Sequence, residues 1–216
     1  MKFPNAQKGV TKLWVGALVG IIVTAIAVIG SILLGFNNGS EVLKKTGVAV
    51  VGAGGIAGLV VFIIELIGLH QASEDDKNFN SALWMVIFGL IISIIAGVIG
   101  AINNDICTKV AKYLGILGSA TSLFSLVYIF HGIMEISKKL NNEDMVKEGR
   151  RLIFVIYILL IADMVFSLFG NIFETNAADW MKIVVSVLVV AAAVLEVVAT
   201  VITFLYYTKA KEVFKK

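Results

Sequence analysis

The sequence predicts an all-α polytopic membrane protein: six transmembrane helices built as three tandem hairpins. Three observations predict it. Hydrophobic residues make up 59% of the chain and charged residues 15%, where soluble domains carry about a quarter charged. Six apolar runs, at 13–36, 47–69, 82–102, 113–136, 152–173 and 182–207, are each long enough for a helix to cross ~30 Å of hydrocarbon, which takes about 20 residues. Short features also recur at spacings of 69 and 70 residues.

The first run follows Lys2, Lys8 and Lys12 as a secretory signal would, but the apolar stretch from Leu13 to Phe36 exceeds the 7–15 residues of a signal core. It reads as an uncleaved first helix. Connections of about a dozen residues leave no room for a soluble catalytic domain. The single cysteine, Cys107, excludes an intrachain disulfide. It falls in a short outer loop, where an inert thiol or a bond to another chain are the alternatives.

Orientation follows from basic residues near the helix ends. Six spans put both termini on one side, together with Lys2, Lys8, Lys12, Lys77, Lys138, Lys139, Lys147, Arg150, Arg151, Lys209, Lys211, Lys215 and Lys216, 13 in all. The other side holds 5: Lys44, Lys45, Lys109, Lys112 and Lys182. That imbalance predicts a multi-pass protein of the plasma membrane with both termini cytoplasmic. The net charge of +3 is then a topology signal, and no basic–aromatic surface suggests nucleic acid as a partner.

The repeat is read from several features. Leu13-Trp14 recurs as Leu83-Trp84, and Leu152-Ile153 follows. Gly30, Gly100 and Gly170 keep step, as do Glu74, Glu143 and Glu212. Asn37-Asn38, Asn103-Asn104 and Asn171 each close an odd-numbered helix, and Asn tolerates the left-handed conformations that turns use. The hairpins then cover approximately 8–74, 77–143 and 146–212 of a single transmembrane domain. Six helices in three repeats suggest mitochondrial carriers, whose signature needs a proline and charged pairs at helix ends. The only proline is Pro4, so that reading fails.

The segments Gly68-Leu69-His70-Gln71-Ala72-Ser73-Glu74-Asp75-Asp76-Lys77-Asn78-Phe79-Asn80-Ser81-Ala82-Leu83 and Glu135-Ile136-Ser137-Lys138-Lys139-Leu140 resemble a group of small six-helix membrane proteins found in Firmicutes and archaea. There a helix ends in a small polar motif, an acidic loop follows, and an aromatic residue with Ala-Leu opens the next helix. The resemblance implies a membrane location and this fold, and brings no activity with it.

Val48-Ala49-Val50-Val51-Gly52-Ala53-Gly54-Gly55-Ile56-Ala57-Gly58 imitates a dinucleotide-binding fingerprint. That fingerprint works only between a strand and a helix N-terminus, and an apolar run of membrane-spanning length has no room for either. Small residues instead let membrane helices approach closely. Gly54 with Gly58, and Gly16 with Gly20, are the expected helix-packing pairs.

Ionisable groups within the bilayer are costly and face the bundle interior. Glu65 and Glu135 lie about 27 and 33 Å from the outer starts of their helices, which suggests interfacial acids near Lys138 and Lys139. Asp163 and Glu196 fall at mid-depth, about 16 and 20 Å into their spans. Two carboxylates that close in low dielectric would share a proton or a cation. Glu196, Thr200, Thr203 and Tyr207 form a stripe at helical spacing, as do Asp163, Ser167 and Asn171, and Thr121, Ser125, Tyr128 and Glu135. These stripes line a polar path or supply interhelical hydrogen bonds. His131 and Glu135, one turn apart, are two potential metal ligands where a zinc site needs three or four, so no metal and no cofactor is predicted. No catalytic triad or His-Glu-x-x-His motif appears.

Two readings of function stand. One is a non-enzymatic bundle acting as a structural or partner-binding component, self-associating or packing against another membrane protein. The other is a small proton- or cation-coupled transporter or channel using Asp163 and Glu196, with Glu65, His131, Glu135, Thr200 and Thr203 along its path.

Overall fold

The computed structural model describes residues 3–35, 41–102, 104–173 and 197–215, and every regular element among them is helical. The elements are α1 (Pro4–Gly35), α2 (Glu41–Ser73), α3 (Lys77–Gly100), α4 (Asp105–Lys139), α5 (Glu143–Phe173) and α6 (residues 197–213). Four described segments are long and apolar enough to cross a membrane: Pro4–Ile26, Lys45–Ser73, Lys77–Gly100 and Asp105–Lys139. The chain is thus a helical bundle compatible with an integral membrane protein.

The helices outrun the apolar segments at one end of the bundle. The two connections expected to be about a dozen residues long contract to 74–76 and 140–142, because the polar residues there cap helices. Asp76 has extended backbone, and its carboxylate accepts from the Asn78 N–H at 2.9 Å to start α3. Asn142 Oδ1 accepts from the Met145 N–H at 3.1 Å to start α5. Asn141, just before it, takes the left-handed conformation at φ 55°, where Asn is enriched among non-glycine residues. Pro4 opens α1, a position whose missing N–H costs nothing. Another first-turn donor, the Ala6 N–H, is satisfied from outside the helix by Asp75 Oδ2 at 2.7 Å.

The asparagines expected to close the odd helices behave differently. Asn104 caps the helix that follows, accepting from the Ile106 and Cys107 N–H groups at 2.8 and 3.4 Å. Cys107 therefore sits, unbonded to any other cysteine, in the first turn of α4 and not in a loop. Asn171 lies inside the last turn of α5. Asn37, Asn38 and Asn103 lie outside the described residues.

At the end where the helices extend, all six contribute to one core. Ala6, Val10 and Leu13 of α1 meet Leu69 and Ala72 of α2, Phe79 and Ala82 of α3, Phe130, Ile133 and Ile136 of α4, Met145 of α5, and Tyr206 and Ala210 of α6. We call this end the collar. Cross-ties fix it. Trp14 Nε1 donates to Thr208 Oγ1 at 2.9 Å, its ring stacks on Phe204, and Lys211 Nζ sits 3.6 Å over it. Tyr206 packs against Phe130 at 4.7 Å and donates to the Met145 carbonyl at 3.3 Å. Lys139 reaches Asp76 at 3.7 Å and lies over the Phe3 ring, so the start of the chain and the acidic loop are held together.

Glycine matters where a methyl has no place. A Cβ on Gly9 would collide with the Gly68 carbonyl and with Ala72, so this is where α1 and α2 cross most closely. On Gly132 it would meet the Phe79 ring at 2.7 Å. Away from the collar Ile56 is 69% exposed, and Trp84, although level with Ala82, faces outward at 63%. Trp14 and Trp84, equivalent in the 70-residue register, thus stand in opposite surroundings.

Candidate functional site

Directly beyond the collar, four helices leave a cavity of about 340 Å³. Its chemistry begins with Gly16. A Cβ there would sit 2.9 Å from Glu65 Cγ, so the glycine is what lets the Glu65 side chain lie between α1 and α2. Gly20 and Thr24, each one turn further along α1, continue the same wall. Ala199, Thr200, Thr203 and Tyr207 supply the α6 wall, and Leu123 and Leu126 the α4 wall.

The space between α1 and α2 grows outward from the collar. A methyl on Gly9 has no room, on Gly16 it presses against Glu65, and on Gly20 it reaches only Val61, at 3.9 Å. Gly58, where an added Cβ would meet nothing within 4 Å, makes no close helix contact. Gly54 is buried. Of the packing glycines expected from sequence, Gly16 and Gly20 thus border a cavity, while the closest crossing belongs to Gly9, Gly68 and Ala72.

The polar groups of the cavity present oxygen. Thr203 Oγ1 donates to the Ala199 carbonyl at 2.8 Å, so only its lone pairs remain to be offered. Thr200 lines the same space. Glu65 makes no ion pair among the described residues, where every pair formed lies at the collar or on an exposed helix surface. A carboxyl so placed, among hydroxyls and apolar side chains and with no cationic partner among the described residues, either holds a proton or shares its space with a cation, since an unpaired charge away from water is costly. Tyr207, buried and in a T-shaped contact with Phe130, completes the lining.

The other expected site residues separate from this group. Glu135 pairs with Lys138 at the surface, as an interfacial acid would, whereas Glu65 is turned into the bundle. His131 Nδ1 lies 2.8 Å from the Val127 carbonyl. A carbonyl only accepts, so Nδ1 carries the proton and the ring is the neutral tautomer or the imidazolium. Among the described residues no three His, Cys, Asp or Glu side chains gather as metal ligands. Thr121 and Ser125 donate to the Gly118 and Ser122 carbonyls of their own helix, both at 2.7 Å, and make no interhelical bond. Thr121 instead fills the space left by Gly89 on α3. Asp163 belongs to α5, but its side chain lies outside the described residues, as does Glu196 altogether.

Sequence reading found Glu65 and the Thr200–Thr203–Tyr207 stripe but not their meeting. Thr24 was within reach, since Gly16, Gly20 and Thr24 repeat every four residues on one face of α1. No family model matches the chain, and neither a curated protein nor a solved structure matches it.

Proposed function

We propose that this chain is a non-enzymatic plasma-membrane protein of six spans in three hairpin repeats, with both termini cytoplasmic, that takes a cation into the cavity around Glu65. The observation that carries this is a carboxylate without a cationic partner among the described residues, lining a cavity whose other polar groups are hydroxyls. Asp163 and Glu196, which the sequence puts at mid-depth of their spans, are the further carboxylates that such a small cation-coupled carrier or channel would use. The 13-to-5 distribution of basic residues supports the orientation.

Flux in proteoliposomes tests the proposal. Wild type should move protons or cations above the background of empty vesicles, and Glu65→Gln, Asp163→Asn and Glu196→Gln should each lower that flux. Background-level flux for wild type would remove transport from the reading.

The collar favours a second reading. An end in which all six helices are locked to one another suits a structural component that receives a partner, either another membrane protein or a second copy. Native mass spectrometry in mild detergent distinguishes the two: oligomers support the second reading, and a purely monomeric spectrum counts against self-association.

A further inference from the structure

We propose that the Glu65 cavity takes an organic ammonium ion, a charged nitrogen carrying apolar groups. The inference rests on the cation reading above and specifies the kind of cation. Volume argues first. About 340 Å³ would hold on the order of ten waters at ~30 Å³ each, and it falls within the ~300–1,000 Å³ of small-molecule pockets. A bare metal or alkali ion needs a close shell of roughly six oxygens to replace its hydration. Here one carboxylate and a few hydroxyls are spread around a space larger in volume than a single ion's coordination shell.

The lining argues second. Gly16, Ala17, Leu123, Leu126 and Ala199 offer no polar side chain, so a hydrated inorganic ion would leave its water against hydrocarbon. Alkyl arms on an ammonium cover those surfaces, while the charge settles beside Glu65. Thr203, its own proton committed to Ala199, offers lone pairs and no competing donor.

The experiment is isothermal titration of tetrapropylammonium chloride into the full-length protein in lipid nanodiscs, with the signal from empty nanodiscs subtracted. Wild type should give a saturable isotherm. Glu65→Gln should weaken binding by about tenfold or more, the usual scale for removing one member of a desolvated charge pair. Glu65→Asp should restore most of it. Sodium and potassium at ~0.15 M should leave the isotherm in place once matched for ionic strength. Gly20→Leu is the second variant: the backbone site accepts a Cβ, since the nearest atom is 3.9 Å away, and the side chain occupies cavity space while the carboxylate is kept. It should abolish binding while the protein stays monodisperse, and it decides the matter if Glu65→Gln does not fold. Tetrapropylammonium binding equally to wild type and Gly20→Leu, or no binding at all, overturns the inference. If sodium or potassium then binds in a Glu65-dependent way, the cation reading stands and only the organic ligand is lost. If no cation binds and flux does not depend on Glu65, both fall.

Discussion

Gly9 and Gly16 lie two turns apart on the same face of α1, and both meet α2, yet they do opposite things. At Gly9 the missing side chain lets two backbones touch, with the Gly68 carbonyl and Ala72 occupying the place a methyl would need. At Gly16 the missing side chain makes room for a carboxylate. The first belongs to the collar, the second to the open section beyond it. One residue type at helical spacing therefore serves closure at one level and a cavity at the next. What decides is the partner residue on the facing helix: glycine and alanine below, glutamate above.

The largest test of that division compares two phenylalanines on one helix. Phe79 opens α3, is fully buried, and lies against Gly132; Phe88 is 56% exposed. Phe79→Ala should cost about 3–5 kcal/mol, the transfer and cavity cost of emptying a packed core. Phe88→Ala should stay within about 0.5 kcal/mol, as for surface positions away from special features. Unfolding of the purified protein in mild detergent measures both. Equal losses would mean that the collar and the open section are not energetically distinct.

A smaller but sharper test uses one substitution with opposite expected signs. Gly9→Ala should destabilise by about 1–3 kcal/mol, because the added methyl meets backbone that cannot move aside. Gly58→Ala has nothing within 4 Å to disturb, and alanine is favoured over glycine in a helix by about 0.5–1 kcal/mol. It should therefore leave stability unchanged or raise it. A loss at Gly58, accompanied by dissociation of an oligomer, would instead locate a contact between copies on that face of α2.

The difference between these glycines explains how much of the molecule was legible in its sequence. Apolar runs report burial in lipid or protein, so the helices themselves were legible, as was the Thr200–Thr203–Tyr207 stripe of α6. The collar was not, because its helices carry Lys8, Lys12, Glu143 and Lys147 alongside Val10, Phe79 and Met145, and mixed polarity at a run's edge reads as loop. Only caps reveal that those helices continue, and one cap and one cross-tie involve partners that sequence alone does not specify. Asp75 serves a helix 69 positions earlier, and Lys139 joins Asp76 to Phe3. Glu65 shows the same limit in the site. Its depth was readable from the run that contains it, but whether it reached interfacial water or a cavity depended on glycine at position 16 of another helix.

The smallest test concerns hydroxyls. Ser137 is fully buried in the collar, and its Oγ has no hydrogen-bond partner; Thr203 is buried at the cavity, and its Oγ1 is bonded to the Ala199 carbonyl. An unmade hydrogen bond at a buried donor costs about 1–3 kcal/mol, and alanine is also the better helix former. Against this stands the modest cost of losing one oxygen's volume from the core, so Ser137→Ala should raise stability by about 1 kcal/mol. Thr203→Val keeps the shape and removes a back-bond to a carbonyl that still serves its own helix, and the change should fall within about 0.5 kcal/mol. If Ser137→Ala lowers stability instead, the hydroxyl is satisfied by water within the collar, and that end of the bundle is wetter than its packing implies. The contrast would then lie in the size of the spaces at the two levels and not in one being dry and the other open.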